Sequence, residues 1–267
     1  AKSFLDYALY VTFFPQLVAG PIVRAKDFIP QCRQERVAFP HEISWGLTLI
    51  LLGLFEKVVV ADYLMAPIVE TTYDSSVGLG FIDAWIGTLA FSVQIFCDFA
   101  GYSTIAIGAA LCRGFELPDN FKYPYAAIGF SDFWRRWHVS LSSWLRDYLY
   151  VSLGGNRGSR SRTYVNLMLT MLLGGLWHGA SWNFVFWGGL HGTYLVAERH
   201  IRERTLRWNS LPSTSVSHAI LALGTFLLVC FTWVFFRSPE FSRSIHIASA
   251  MLGVMTGGVD GVLSSIE

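Results

Sequence analysis

The run LLGGLWHGASWNF, from Leu172 to Phe184, sets one imidazole, His178, among glycines and tryptophans inside an otherwise apolar stretch. Imidazole gives and takes a proton near neutral pH, which suits it to deprotonate a hydroxyl as that hydroxyl attacks an acyl carbonyl. An ionisable group at membrane depth is costly and reads by default as a functional site; a core histidine satisfied by a nearby carbonyl is the alternative. Gly174, Gly175 and Gly179 permit close backbone approach and a helix break, the means by which irregular backbone lines a cavity inside a bilayer.

A second imidazole lies in FWRRWHVSLSSWLRDYLYVSLGGNR, Phe133 to Arg157. Ser131 or Asp132 can cap a helix that begins at Phe133, and along it Trp134, His138, Leu141 and Leu145 recur at helical spacing on one face. His138 thereby falls on the aromatic side, and two deep histidines suggest one shared site. Asp98, in the DFAGYS interruption of a long apolar run, either lines an internal cavity or caps a second half-helix after a break at Gly101. Trp134, Trp137, Trp177 and Asn183 flank the histidines and join Asp98 as candidate channel-lining or supporting residues. Neither GxSxG nor HExxH occurs, and LGGNRGSRSR, Leu153 to Arg162, lacks the GxxxxGK[ST] pattern of a nucleotide loop.

The elements that must hold these groups read as membrane helices. Hydrophobic residues make up 53% of the 267 residues and charged ones only 15%, against about 25% charged in soluble domains. A net charge of +1 offers no basic face for nucleic acid. Cys32, Cys97, Cys112 and Cys230 show neither CxxC nor Cys/His spacing, so neither a metal site nor a disulfide framework is expected.

Phe4 to Val18 is a first apolar segment, ended by Gly20-Pro21; Pro21 to Pro40 reads as a loop or surface helix. Ile43 to Leu64 is long enough to span. Its Glu56-Lys57 pair marks either a bundle-facing ion pair or, the preferred reading, the interfacial end of a shorter helix. Phe81 to Leu111 exceeds one span.

The arginine-rich stretches at Leu153 to Arg162 and Glu198 to Arg207 both fit cytoplasmic loops. The segment between them must then enter the membrane and return. Tyr164 to Trp177, about fourteen residues, reaches roughly 20 Å, short of the ~30 Å hydrocarbon core, which puts His178 at a turn inside the bilayer with Trp182 to Val196 as the returning arm. The chain opens AKSFLDYALY without an initiator methionine and reads as the central part of a longer polytopic protein.

Four blocks carry a family resemblance: FFPQLVAGPI (Phe13 to Ile22), QIFCDFAGYSTIAIG (Gln94 to Gly108), the Phe133 to Arg157 block, and LLGGLWHGASWNFVFWGGLHG (Leu172 to Gly192). With them the chain resembles the membrane-bound O-acyltransferases, most closely the bacterial branch that acetylates alginate. The resemblance implies an all-α polytopic bundle with re-entrant or broken helices around a buried histidine site. It implies one such domain over residues 1–267, lacking N-terminal and part of the C-terminal helices of the full fold. It makes His178 the catalytic histidine and His138 the second polar residue of the site. It further implies no bound cofactor, acetyl-CoA as acyl donor, a polysaccharide acceptor, an extracytoplasmic acetyltransferase partner and a multi-pass place in the bacterial inner membrane. D-alanyl transfer to teichoic acid is a related alternative. A transporter or channel using the same histidines, and an inactive scaffold, are the other classes the residues allow.

Overall fold

The computed structural model describes residues 3–16, 20–74, 78–204 and 215–254, whose regular elements are all helices, without a strand among them. Helix α1, Phe4–Thr12, is followed by a single 3-10 turn at Phe14–Gln16, so the first apolar segment is not one continuous helix; Val18 lies outside the described residues. Helix α2, Ala25–Cys32, forms within the stretch expected as a loop or surface helix and buries Phe28 and Ile29.

Helix α3, Pro40–Leu54, passes without a break into a π-helical stretch, Phe55–Met65, and then into α4, Ala66–Tyr73. The widened turns end just before Pro67, which has no N–H to give and whose ring would crowd the carbonyl one turn back. The Glu56-Lys57 pair is therefore not the end of a helix. It sits in the middle of a 34-residue run, where Lys57 is held by Asp62 at 2.8 Å and by Asp98 of the next helix at 2.5 Å.

That next helix, α5, Phe81–Leu111, is uninterrupted over 31 residues. The expected break at Gly101 and the capping role for Asp98 are both absent, since Asp98 lies mid-helix. The glycine serves packing. A Cβ on Gly101 would stand 2.7 Å from the Gly53 carbonyl oxygen, and one on Gly108 2.5 Å from that of Gly46, so two glycine pairs let α3 and α5 run antiparallel with backbones touching.

Two short helices, α6 (Phe130–Arg136) and α7 (Val139–Trp144), replace the single helix expected from Phe133 onward. The break falls at Trp137, which is extended, and His138, whose φ of 43° is left-handed. Helix α6 starts earlier than expected, at Phe130 after Gly129, because the Glu198 carboxylate reaches across to accept from Ser131 N–H at 2.8 Å. The Asp132 side chain accepts instead from Ile128 N–H.

Helices α8 (Arg160–His178) and α9 (Trp182–Arg204) form an antiparallel hairpin. Gly175 and Gly188 make its seam, a Cβ at either meeting a carbonyl of the opposite arm at 2.2 and 2.4 Å. Gly174 and Gly175 stay helical, and the helix stops only at Gly179. His178 thus occupies the tip, as expected, but both arms are longer than the sequence reading allowed: the first has 19 residues, about 28 Å, close to the thickness of the hydrocarbon core. The free ends are held together by Arg160 and Tyr164 on Glu203; positions 205–207 of the second arginine-rich stretch lie outside the described residues.

Helices α10, Ser215–Arg237, and α11, Phe241–Met251, complete the bundle. Three helical runs, 40–73, 81–111 and 216–237, are long and apolar enough to cross a membrane. The core gathers where α5, α6, α9 and α10 meet, around Trp137, Trp187 and Trp233.

Candidate active site

Midway along α5, a cavity of about 370 Å³ opens between the broken α6–α7 segment, the hairpin tip and the end of α10. Ile95, Asp98 and Phe99 come from α5; Trp134, Trp137, His138 and Leu141 from the broken segment; Trp177 and His178 from the tip; Trp233 and Phe236 from α10. The two histidines singled out by the sequence therefore share one wall system, with Asp98, Trp134, Trp137 and Trp177 beside them. Leu145, expected on the same face, does not line it; Leu141 of α7 does, while Leu145 falls just past α7 at the start of a π-helical stretch, Leu145–Tyr150. Asn183 also lies off the cavity. Its side chain donates to Ser238 O and accepts from the Ser244 hydroxyl, both at 2.8 Å, tying the hairpin to α10 and α11.

His178 is caged by rings. Trp177, Phe236 and Trp187 stand edge-on at centroid distances of 4.9, 5.0 and 5.3 Å, with Phe184 at 6.0 Å. These rings supply no acid or base of their own. Trp177 is more than half exposed and stands at the mouth. Asp98 is engaged by Lys57 at 2.5 Å, so the one carboxylate on the wall is ion-paired.

His138 is held in a different way. It is only 4% exposed, with Phe99 edge-on at 4.6 Å, and its Nδ1 lies 3.0 Å from Asn120 Oδ1. Asn120 in turn donates to the Ser103 hydroxyl and accepts from Ser140, so a buried polar chain reaches from α5 through the loop to α7. Asn120, Phe99, Trp233 and Phe236 were not legible as site residues. Asn120 lies in an aperiodic loop between Pro118 and Pro124, and the three aromatics look like ordinary core residues of apolar helices. His191, one turn beyond Trp187, was also passed over; it is fully buried, with Nε2 3.0 Å from Thr232 Oγ1, and packs against Trp134 and Trp187 behind the cavity.

Two histidines thus line one aromatic cavity midway along α5. The MBOAT, membrane-bound O-acyltransferase family, matches residues 2–238. The chain belongs to the membrane-bound O-acyltransferase family.

Among its membrane-bound O-acyltransferase relatives, the chain is 43% identical over 269 residues to a protein of Azotobacter vinelandii named as a probable alginate O-acetylase, covering all of this chain and 50% of the relative. It is 42% identical to a peptidoglycan O-acetyltransferase of Helicobacter pylori, over 95% of this chain and 47% of that protein. A teichoic acid D-alanyltransferase of Bacillus subtilis is more distant, 26% identical over 87% of this chain and 61% of the relative. The chain thus spans about half the length of the first two relatives.

Proposed function

We propose that the protein transfers an acyl group, acetyl in the simplest case, from a cytoplasmic thioester donor such as acetyl-CoA to a hydroxyl of an extracytoplasmic polysaccharide. The observation that carries this reading is the joining of His178 and His138 in one aromatic cavity midway along α5. His178 takes the proton of the acceptor hydroxyl as its oxygen attacks the acyl carbonyl carbon. The C–S bond then breaks, and the proton passes from His178 to the leaving thiolate. His138 supports the step from the opposite wall.

The acetyl-transferring relatives stand at 42–43% identity and the D-alanyl-transferring one at 26%, which favours acetyl over D-alanyl transfer. Alginate or a related exopolysaccharide is the acceptor we favour, with an extracytoplasmic acetyltransferase partner receiving or passing on the group. The three long apolar helices support a multi-pass place in the bacterial inner membrane.

In the full-length protein, His178→Ala should insert and accumulate normally while polymer acetylation falls by the ~100- to 10,000-fold expected for a lost general base. Unchanged acetyl content at matched protein level overturns the assignment.

A further inference from the structure

His138 has a partner whose orientation can be settled. Both the backbone N–H and the hydroxyl of Ser140 lie against Asn120 Oδ1, at 3.3 and 2.9 Å. A backbone N–H can only donate, so the atom facing it must be the amide oxygen; a flipped amide would set donor against donor. The Ser140 hydroxyl is itself pinned by Ile22 N–H at 2.9 Å, and the Asn120 carbonyl accepts from Val139 N–H, so neither end of the arrangement is free to turn. His138 Nδ1 faces that same oxygen at 3.0 Å and must carry the proton. Nε2, on the far side of the ring, is then the bare nitrogen, and it is the one left for the cavity that His138 lines.

We infer that Asn120 is a positioning residue that locks His138 as the Nδ1–H tautomer, presenting the Nε2 lone pair to the cavity as an acceptor for the O–H or S–H of a substrate. The substrate assignment rests on the acyl-transfer reading; the tautomer rests on hydrogen bonds alone. Neutral His138 consequently has no proton to offer the acyl oxygen from Nε2. The positive φ of His138 fits this role. Such a conformation is strained for a non-glycine residue and persists only where its surroundings enforce it, here Asn120, which binds the His138 ring and Val139 N–H together. The other titratable groups on the cavity are His178 at the tip and Asp98, the latter engaged by Lys57.

The test is nitrogen-15 histidine NMR of the full-length protein in lipid, with the His138 signals identified by their loss in His138→Gln. A protonated Nδ1 and a bare Nε2 are expected in the wild type and in Ser103→Ala, which leaves the oxygen side of the amide intact. Asn120→Asp keeps an acceptor at Nδ1 and adds a negative charge. It should retain the tautomer and at least a tenth of the acyl transfer, with the acidic limb of the pH profile moved upward. Asn120→Ala should lose the single tautomer and cost transfer about 10- to 100-fold, the size seen when a residue orienting an imidazole is removed.

A wild-type spectrum with the proton on Nε2 overturns the inference. So does equal loss in Asn120→Asp and Asn120→Ala with an unshifted pH profile, which is the mark of a merely structural residue. A wild type with the Nδ1–H tautomer and no acyl transfer to any polymer would support the inference while sinking the acyl-transfer reading.

Discussion

His178 and His138 face one cavity but are held by opposite means. Among the described residues His178 is surrounded by rings, whereas His138 has one nitrogen committed to Asn120. Their glutamine variants should separate accordingly. His178→Gln removes the proton acceptor and should approach the loss of His178→Ala. His138→Gln keeps an amide oxygen that can accept a hydrogen bond and should lose only about tenfold, read as polymer acetyl content at matched expression. Equal and complete loss in both would make the two histidines joint proton carriers. Asp98→Asn leaves Lys57 still engaged by Asp62, so it should fold and keep part of its activity; full activity would reduce Asp98 to an anchor for Lys57. The histidines were legible in the sequence because an ionisable group in an apolar run is conspicuous. Asn120 was not, since a polar residue in a polar loop has no pattern to violate.

At the scale of elements, the glycines explain both what sequence reasoning caught and what it missed. Glycine in a soluble helix signals a break, but between membrane helices it signals contact, and Gly101 was read by the wrong rule. Gly53→Val places a side chain where a Cβ already meets the Gly101 carbonyl oxygen at 2.5 Å, so it should pry α3 from α5 and cost about 1–3 kcal/mol, seen as a lower midpoint in detergent thermal unfolding. An unchanged midpoint would mean the two helices part without loss.

Helical spacing likewise suggested one helix through His138, because periodicity in residue type cannot show a single left-handed residue in its midst. The hairpin was legible from the two arginine-rich stretches, and the contact of Arg160 with Glu203 puts its ends on one side. Single cysteines at Ser161 and Arg204, with the four native cysteines replaced, should therefore respond alike to an impermeant thiol reagent and, on the positive-inside reading of the arginine-rich stretches, react only after permeabilisation. Labelling of only one from outside would break the hairpin reading.

Across the whole molecule, α5 acts as a spine: α3 and α4 lie along it, the cavity forms at its midpoint, and α10 and α11 pack against it. The early segment is fastened to the second half by Arg24 and Asp147, whose carboxyl is held down to about 2 by hydrogen bonds from Arg146 and Arg24. A depressed carboxyl stabilises the fold fully above its unfolded value near ~3.9 and loses that contribution as pH falls toward 2. Asp147→Asn should accordingly lower stability by a constant amount, under about 1 kcal/mol for so exposed a pair, at every pH from about 5 to 8. A difference that grows or shrinks across that range in paired unfolding curves would contradict the pairing.

The walls of the cavity come from positions as far apart as Gly20 and Phe236, while the hairpin that carries His178 closes on neighbours in the chain. Contacts between near neighbours form early and distant ones late. During synthesis the hairpin can zip along its glycine seam as soon as α9 leaves the ribosome, bringing Trp177, Phe184 and Trp187 to the imidazole at its tip, yet the ring of Phe236 and the cavity wall of Trp233 arrive only with α10. The nascent chain thus carries a finished hairpin before it carries an enclosed cavity, and α10, emerging after the hairpin, is the helix that closes that wall.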